Sequence, residues 1–87
     1  MQERINYRKD VNKMPKTIKD LYISFMLKPN ITVTKLTING KKILVENEDP
    51  VYGYEIAEYL KENYDMNQEI SNIYMKTGDP EYDLDER

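Results

Sequence analysis

Asn39-Gly40, in the middle of ITVTKLTINGKKILV (residues 31–45), constrains this chain more than any other feature. Both residues tolerate the positive φ angles of a type I′ turn, and the twist of that turn matches a two-stranded hairpin. A two-residue loop fixes the register. Ile38 is expected to face Lys41, Leu36 to face Ile43, and Thr34 to face Val45. Leu36, Ile38, Ile43 and Val45 then share one face, which has to be buried. A lone hairpin is barely stable in water, so the flanking segments must cover it.

Those segments carry helical and strand signals. Pro15 suits a first helical turn, and Ile18, Leu21, Tyr22, Phe25 and Met26 follow an i, i+3, i+4, i+7, i+8 pattern up to Pro29. Leu21, Ile23, Phe25 and Leu27 also alternate as a strand would; the stop signals at both ends favour a helix over 16–27. After the hairpin (31–38 and 41–46), the turn cluster Glu46–Pro50 leads to a second helix over 51–64. On a helical projection Tyr52, Ile56, Tyr59 and Leu60 cluster on one side with Tyr64 at the margin, while Gly53 weakens the first turn. Residues 69–76, EISNIYMK, read as a third strand, apolar at two of three positions on each face. The expected fold class is α+β in the order α-β-β-α-β, with two helices packed on a small antiparallel sheet. Residues 14–78 form the single domain, 1–13 a flexible basic arm, and 79–87 an acidic tail too short and polar to fold alone.

Composition excludes more than it specifies. A chain of 87 residues is one domain, burying only about 60–65% of its unfolded surface, and a flat binding surface suits it better than a deep cleft. It has no cysteine and no histidine, which removes thiolate chemistry, the commonest general base and the commonest transition-metal ligand. Ser24 and Ser71 lack a histidine partner, and the three glycines belong to no phosphate-binding fingerprint. Asp79, Glu81, Asp83 and Asp85 alternate as calcium ligands do, without the glycine and terminal glutamate of an EF-hand loop. No catalysis, cofactor or metal is expected. With no apolar run of span length and no signal-peptide h-region, a soluble cytoplasmic protein with no membrane contact is expected, and Asn30-Ile31-Thr32 is read as a chance glycosylation match.

The charge distribution is the informative feature. Residues 1–45 hold ten Lys/Arg against three Asp/Glu, a net of +7, and residues 46–87 hold three against thirteen, a net of −10; together they give the overall −3. Such segregation bears on steering and partner choice rather than on fold. On the second helix Glu55, Glu58 and Glu62 form a stripe with Asp65 beside them, and Tyr54 and Tyr59 flank it. Successive glutamates rise about 4.5 and 6 Å along the axis, a spacing on the scale of nucleic-acid phosphates. Glu46, Glu48, Asp49 and Glu69 extend the negative set. A solvated helix face is the bland alternative. The sharper reading is a partner-binding surface, with tyrosines adding contact area at low entropy cost.

In size, lack of cysteine, tyrosine content and the acidic segment Glu46–Glu86, the chain resembles the small phage-encoded inhibitors of host nucleases, anti-CRISPR proteins among them. The resemblance implies a non-catalytic inhibitor occupying a channel that normally holds nucleic acid; the basic first half departs from the uniformly acidic mimics. The expected partner is a basic nucleic-acid-binding protein such as a host nuclease, in the cytoplasm of a bacterial host. The alternatives are a self-associating module or homodimer built from charge-complementary halves, and, ranked last, direct nucleic-acid binding by the basic N-terminal half.

Overall fold

The computed structural model describes residues 14–45 and 49–86. Its elements are α1 (Ile18–Leu27), β1 (Thr32–Ile38), β2 (Lys41–Leu44), β3 (Val51–Tyr52), α2 (Gly53–Asn63), β4 (Ile73–Thr77), a 3₁₀ turn (Pro80–Tyr82) and β5 (Leu84–Glu86). The architecture is α+β, with two helices and an antiparallel sheet in roughly the expected order. The strands run β2-β1-β4-β5, and β3 pairs with the other half of the edge of β1 that holds β2. The proposed arm, residues 1–13, lies outside the described residues.

Local chemistry starts and stops each element. α1 begins later than the proline suggests, because Thr17 caps it: its hydroxyl accepts from Asp20 N and the Asp20 carboxylate accepts from Thr17 N. The hairpin turns where expected, with Asn39 at φ +52° and Gly40 at φ +81°. Its register does not hold past the turn. Ile38 faces Lys41 and Thr37 faces Lys42, but Leu36 faces Leu44, leaving Ile43 as an extra residue in β2. The expected pairs Leu36–Ile43 and Thr34–Val45 are therefore corrected. A second irregularity lies in β1, where Val33 faces Thr77 and Lys35 faces Lys76. Thr34 is the extra residue, and its hydroxyl donates to Lys76 O at 3.3 Å. The bulge turns Val33 onto the same face as Leu36 and Ile38, where all three are buried.

Three further boundaries differ from expectation. Val51 and Tyr52 begin no helix; they pair with Val33 and Thr32, and α2 starts at Gly53. The third strand occupies Ile73–Thr77 rather than 69–76, with Glu69 in an isolated bridge to Thr17. The acidic tail is folded: β5 pairs with β4, Leu84 is buried, and the Asp83 carboxylate accepts from Thr77 N at 2.7 Å and from the Thr77 hydroxyl at 2.8 Å.

One core joins both helices to one face of the sheet: Ile18, Leu21 and Phe25 from α1, Ile56, Ala57 and Leu60 from α2, with Val33, Leu36, Ile38, Ile73, Met75 and Leu84 from the strands. Tyr22 is half-buried against it, whereas Met26, read as part of the apolar helix face, is half exposed. No helix among the described residues is long and apolar enough to cross a membrane.

Candidate functional site

The packing of α2 decides which residues it presents outward. Its buried side is Gly53, Ile56, Ala57 and Leu60. At 100° per residue Glu55, Glu58 and Glu62 fall on the opposite side, and all three are exposed. Tyr54 and Tyr59, one on each flank, are 44% and 41% exposed. The helical projection expects Tyr52 and Tyr59 on the core side; both are half-exposed instead, Tyr52 because it is the outward residue of β3 rather than part of the helix, and Tyr59 because the buried side of α2 is centred on Gly53, Ala57 and Leu60 and leaves it on the flank.

The glutamate stripe weakens its own helix. Glu55/Glu58 and Glu58/Glu62 are i,i+3 and i,i+4 pairs of like charge, each costing about 0.2–0.5 kcal/mol. The helix dipole disfavours Glu62 in the last turn and favours Glu55 in the first, so the net cost comes from the like-charge spacing. Lys61 is the one basic residue in the last turn. None of the three glutamates forms an ion pair with a described residue.

The other expected site residues are dispersed. Asp65 lies beyond the helix, where its carboxylate accepts from Asn67 N at 2.9 Å. Asp49 is exposed just before β3, near the other end of α2. Eleven helical residues separate the two ends by about 16 Å. Glu69 is exposed but held by its backbone at the Thr17 bridge. Glu46 and Glu48 lie outside the described residues. The structure thus brings together Glu55, Glu58, Glu62, Tyr54 and Tyr59 on one helix, with Asp49 and Asp65 beyond its two ends.

Two neighbouring features go beyond what the sequence spacing expects. The first is apolar. Gly53 N donates to Ile31 O at 2.8 Å and Tyr54 N to Pro29 O at 3.2 Å, which seats the start of α2 on the loop after α1. At this end Tyr52 and Tyr54 stack with ring centroids 5.8 Å apart, and Met26 and Leu27 stand exposed in the last turn of α1. The second is the sheet face turned away from the helices. Cross-strand pairs place Lys35 beside Lys76, Thr37 beside both Tyr74 and Lys42, and Tyr74 beside Asp85. Lys35 Nζ sits 5.0 Å from the centre of the Tyr74 ring. Lys35, Thr37 and Lys42 read individually as ordinary strand residues; only the pairing with β4 gathers them with Lys76.

Two side chains have perturbed proton affinities. Burial, and then the neighbouring Tyr59, push the Tyr64 phenol up; its hydroxyl has no hydrogen-bond partner among the described residues. Lys28 holds its proton more tightly than usual, first through a hydrogen bond to Tyr82 and then through the charge Tyr82 carries when ionised. Lys28 lies on an open groove of about 510 Å³ formed by residues 28–32 with Asp79 and Tyr82. No cluster of three or more potential metal ligands occurs among the described residues.

Comparison with known protein families, curated proteins and solved structures finds no match to this chain.

Proposed function

We propose that this protein is a non-catalytic regulator that docks, through the outer face of α2, on a basic surface of a nucleic-acid-handling protein. A host nuclease bound by a phage anti-defence or anti-CRISPR protein is the sharpest form of this reading. The observation that carries it is the stripe itself. Three exposed glutamates repel one another along the helix, have no ion-pair partner among the described residues, and stand between two half-exposed tyrosines. A Lys/Arg-lined channel that takes phosphates would accept such a face, and its affinity for nucleic acid comes largely from those basic groups.

The test is capture from nuclease-treated bacterial lysate on wild type beside the Glu55→Lys, Glu58→Lys, Glu62→Lys triple variant, with circular dichroism to confirm that both are folded. Wild type is expected to hold a nucleic-acid enzyme that the variant does not, and that enzyme's own DNA or RNA should compete. A folded triple variant that holds the same enzyme equally well overturns the reading.

A second reading is favoured by the lysines of the outer sheet face. Lys35, Lys42 and Lys76 face away from the helices, and the glutamate stripe points the other way. Two copies could stack with the helix layer of one on the open sheet of the next, a head-to-tail contact. Light scattering should then show association at low salt that dissolves as salt rises from roughly 10 mM to 1 M, a range over which the screening length falls from about 30 to 3 Å. A monomer at both extremes removes this reading.

A further inference from the structure

Asn39 holds two parts of the fold together. Its backbone, at φ +52°, opens the hairpin turn before Gly40. Its side-chain Oδ1 accepts from Ser71 N at 2.8 Å, from Ser71 Oγ at 3.0 Å and from Asn72 N at 3.2 Å. Its Nδ2 donates to Glu69 O at 3.0 Å. Its own backbone N–H donates to Asn72 O at 2.7 Å. One exposed carboxamide therefore ties the β1–β2 turn to the segment 69–72 that leads into β4.

The same residue is chemically vulnerable. Gly40 has no side chain to shield its nitrogen, and that nitrogen can attack the Asn39 Cγ. The new N–Cγ bond closes a five-membered succinimide, and the side-chain nitrogen leaves as ammonia. Water then adds to one of the two ring carbonyls and breaks its bond to nitrogen. The product is aspartate or isoaspartate. The balance is one water consumed, one ammonia released and one carboxylate gained, with no oxidant or reductant.

We propose that Asn39 is a fold-gated modification site: the native hydrogen bonds to 69–72 hold its carboxamide off the Gly40 nitrogen, and conversion after local opening permanently loosens both segments. The gate is geometric. Cγ cannot swing onto the Gly40 nitrogen while Oδ1 and Nδ2 are both engaged with 69–72. Reaction then requires local opening, and its rate follows the open population when opening and closing are fast. The loosening follows from the products. In isoaspartate the main chain runs through the former side-chain carbonyl and gains a methylene, so the two-residue turn cannot be rebuilt. In aspartate the path is kept, but the Nδ2 donor is gone and a carboxylate oxygen faces Glu69 O.

The experiment compares three samples in mildly alkaline buffer: the folded full chain, the full chain in urea, and a synthetic peptide of residues 35–44. Mass spectrometry after chromatographic separation follows aspartate and isoaspartate at position 39. The peptide and the urea-unfolded chain are expected to convert at similar rates. The folded chain should be slower by about tenfold or more, the ratio an opening free energy of about 1.4 kcal/mol gives. Amide exchange of the converted, refolded protein should rise at 38–41 and at 69–72 together. A folded chain that converts as fast as the peptide overturns the gate. Conversion that leaves exchange at 69–72 unchanged overturns the loosening.

Discussion

Replacing Gly53 with alanine is expected to destabilise the protein by about 2–4 kcal/mol. Glycine in the first turn of α2 looks like a weakness, since it carries the largest backbone entropy cost of any residue. The packing reverses that judgement. A Cβ at this position would lie 2.6 Å from Lys28 O, 3.1 Å from Ile31 Cγ2 and 3.2 Å from Phe25 Cδ1. The nearest of these is a backbone oxygen, which cannot rotate aside. Relief requires α2 to move off the loop after α1, and that strains the Gly53 N to Ile31 O and Tyr54 N to Pro29 O bonds. For a domain of this size the midpoint of thermal unfolding should fall by roughly 10–30 °C. Gly40 supplies the contrast. Its added Cβ meets nothing within 4 Å, but its φ of +81° is unfavourable for any other L-residue. Alanine there should cost about 1–2 kcal/mol through conformation alone. A Gly53→Ala protein that melts with wild type would refute this close approach of α2 to the end of α1 and the loop after it.

How much of this was readable in advance depended on how local each cause is. The hairpin turn was readable at Asn39-Gly40, because positive φ at two consecutive residues is a steric requirement that few residue pairs satisfy. Both helices were readable from periodicity to within about two residues. The capping box Thr17–Asp20 was also present in the sequence, and it marks the start of α1 better than Pro15 does. The bulges at Thr34 and Ile43 were not readable. They follow from fitting β1 between β4 and β2 while keeping Val33, Leu36 and Ile38 in one core, which is a three-strand condition. β5 was missed because Leu84 is one apolar residue among acids. What holds the strand is ladder pairing with β4 and the Asp83–Thr77 bonds, and neither leaves a periodic trace.

The glutamate stripe survived the passage to three dimensions because a helix converts spacing into direction with little help from context. The tyrosines did not fare as simply. Projecting a helix that starts at Val51 grouped Tyr52 and Tyr59 with Ile56 and Leu60, whereas Tyr52 belongs to β3 and the buried side of α2 turns toward Gly53 and Ala57, leaving Tyr59 on its flank. The basic sheet face was readable only in part: the hairpin puts Lys35, Thr37 and Lys42 on its outer face, but nothing local adds Lys76. Lys35 and Lys76 are far apart in the chain, and only the β1–β4 register sets them side by side. Segment charge therefore misplaces Lys76, which comes from the acidic half of the sequence yet belongs to the basic face.

The second large effect is expected at Leu60. It is fully buried in α2, within the core that joins both helices to β1 and β4. Leu60→Ala removes three carbons and leaves a cavity that the surrounding elements can only partly close. Such changes cost about 2–5 kcal/mol. A chain of this length has total stability of about 4–13 kcal/mol, so the loss is a large fraction of what is available. Leu27→Ala is the matched control. The deletion is chemically identical, but Leu27 is 74% exposed in the last turn of α1, and the change should stay within about 0.5 kcal/mol. Sequence periodicity alone does not separate the two so sharply, since the strand-like alternation Leu21, Ile23, Phe25, Leu27 would place Leu27 on a buried face with Phe25. Urea denaturation of the two variants distinguishes the arrangements. A midpoint that drops steeply for Leu60→Ala and hardly at all for Leu27→Ala matches helical packing of α1. Comparable losses at both positions would mean that the outer side of α1 is covered in solution, and that the exposed end formed by Met26, Leu27, Tyr52 and Tyr54 is an occupied interface.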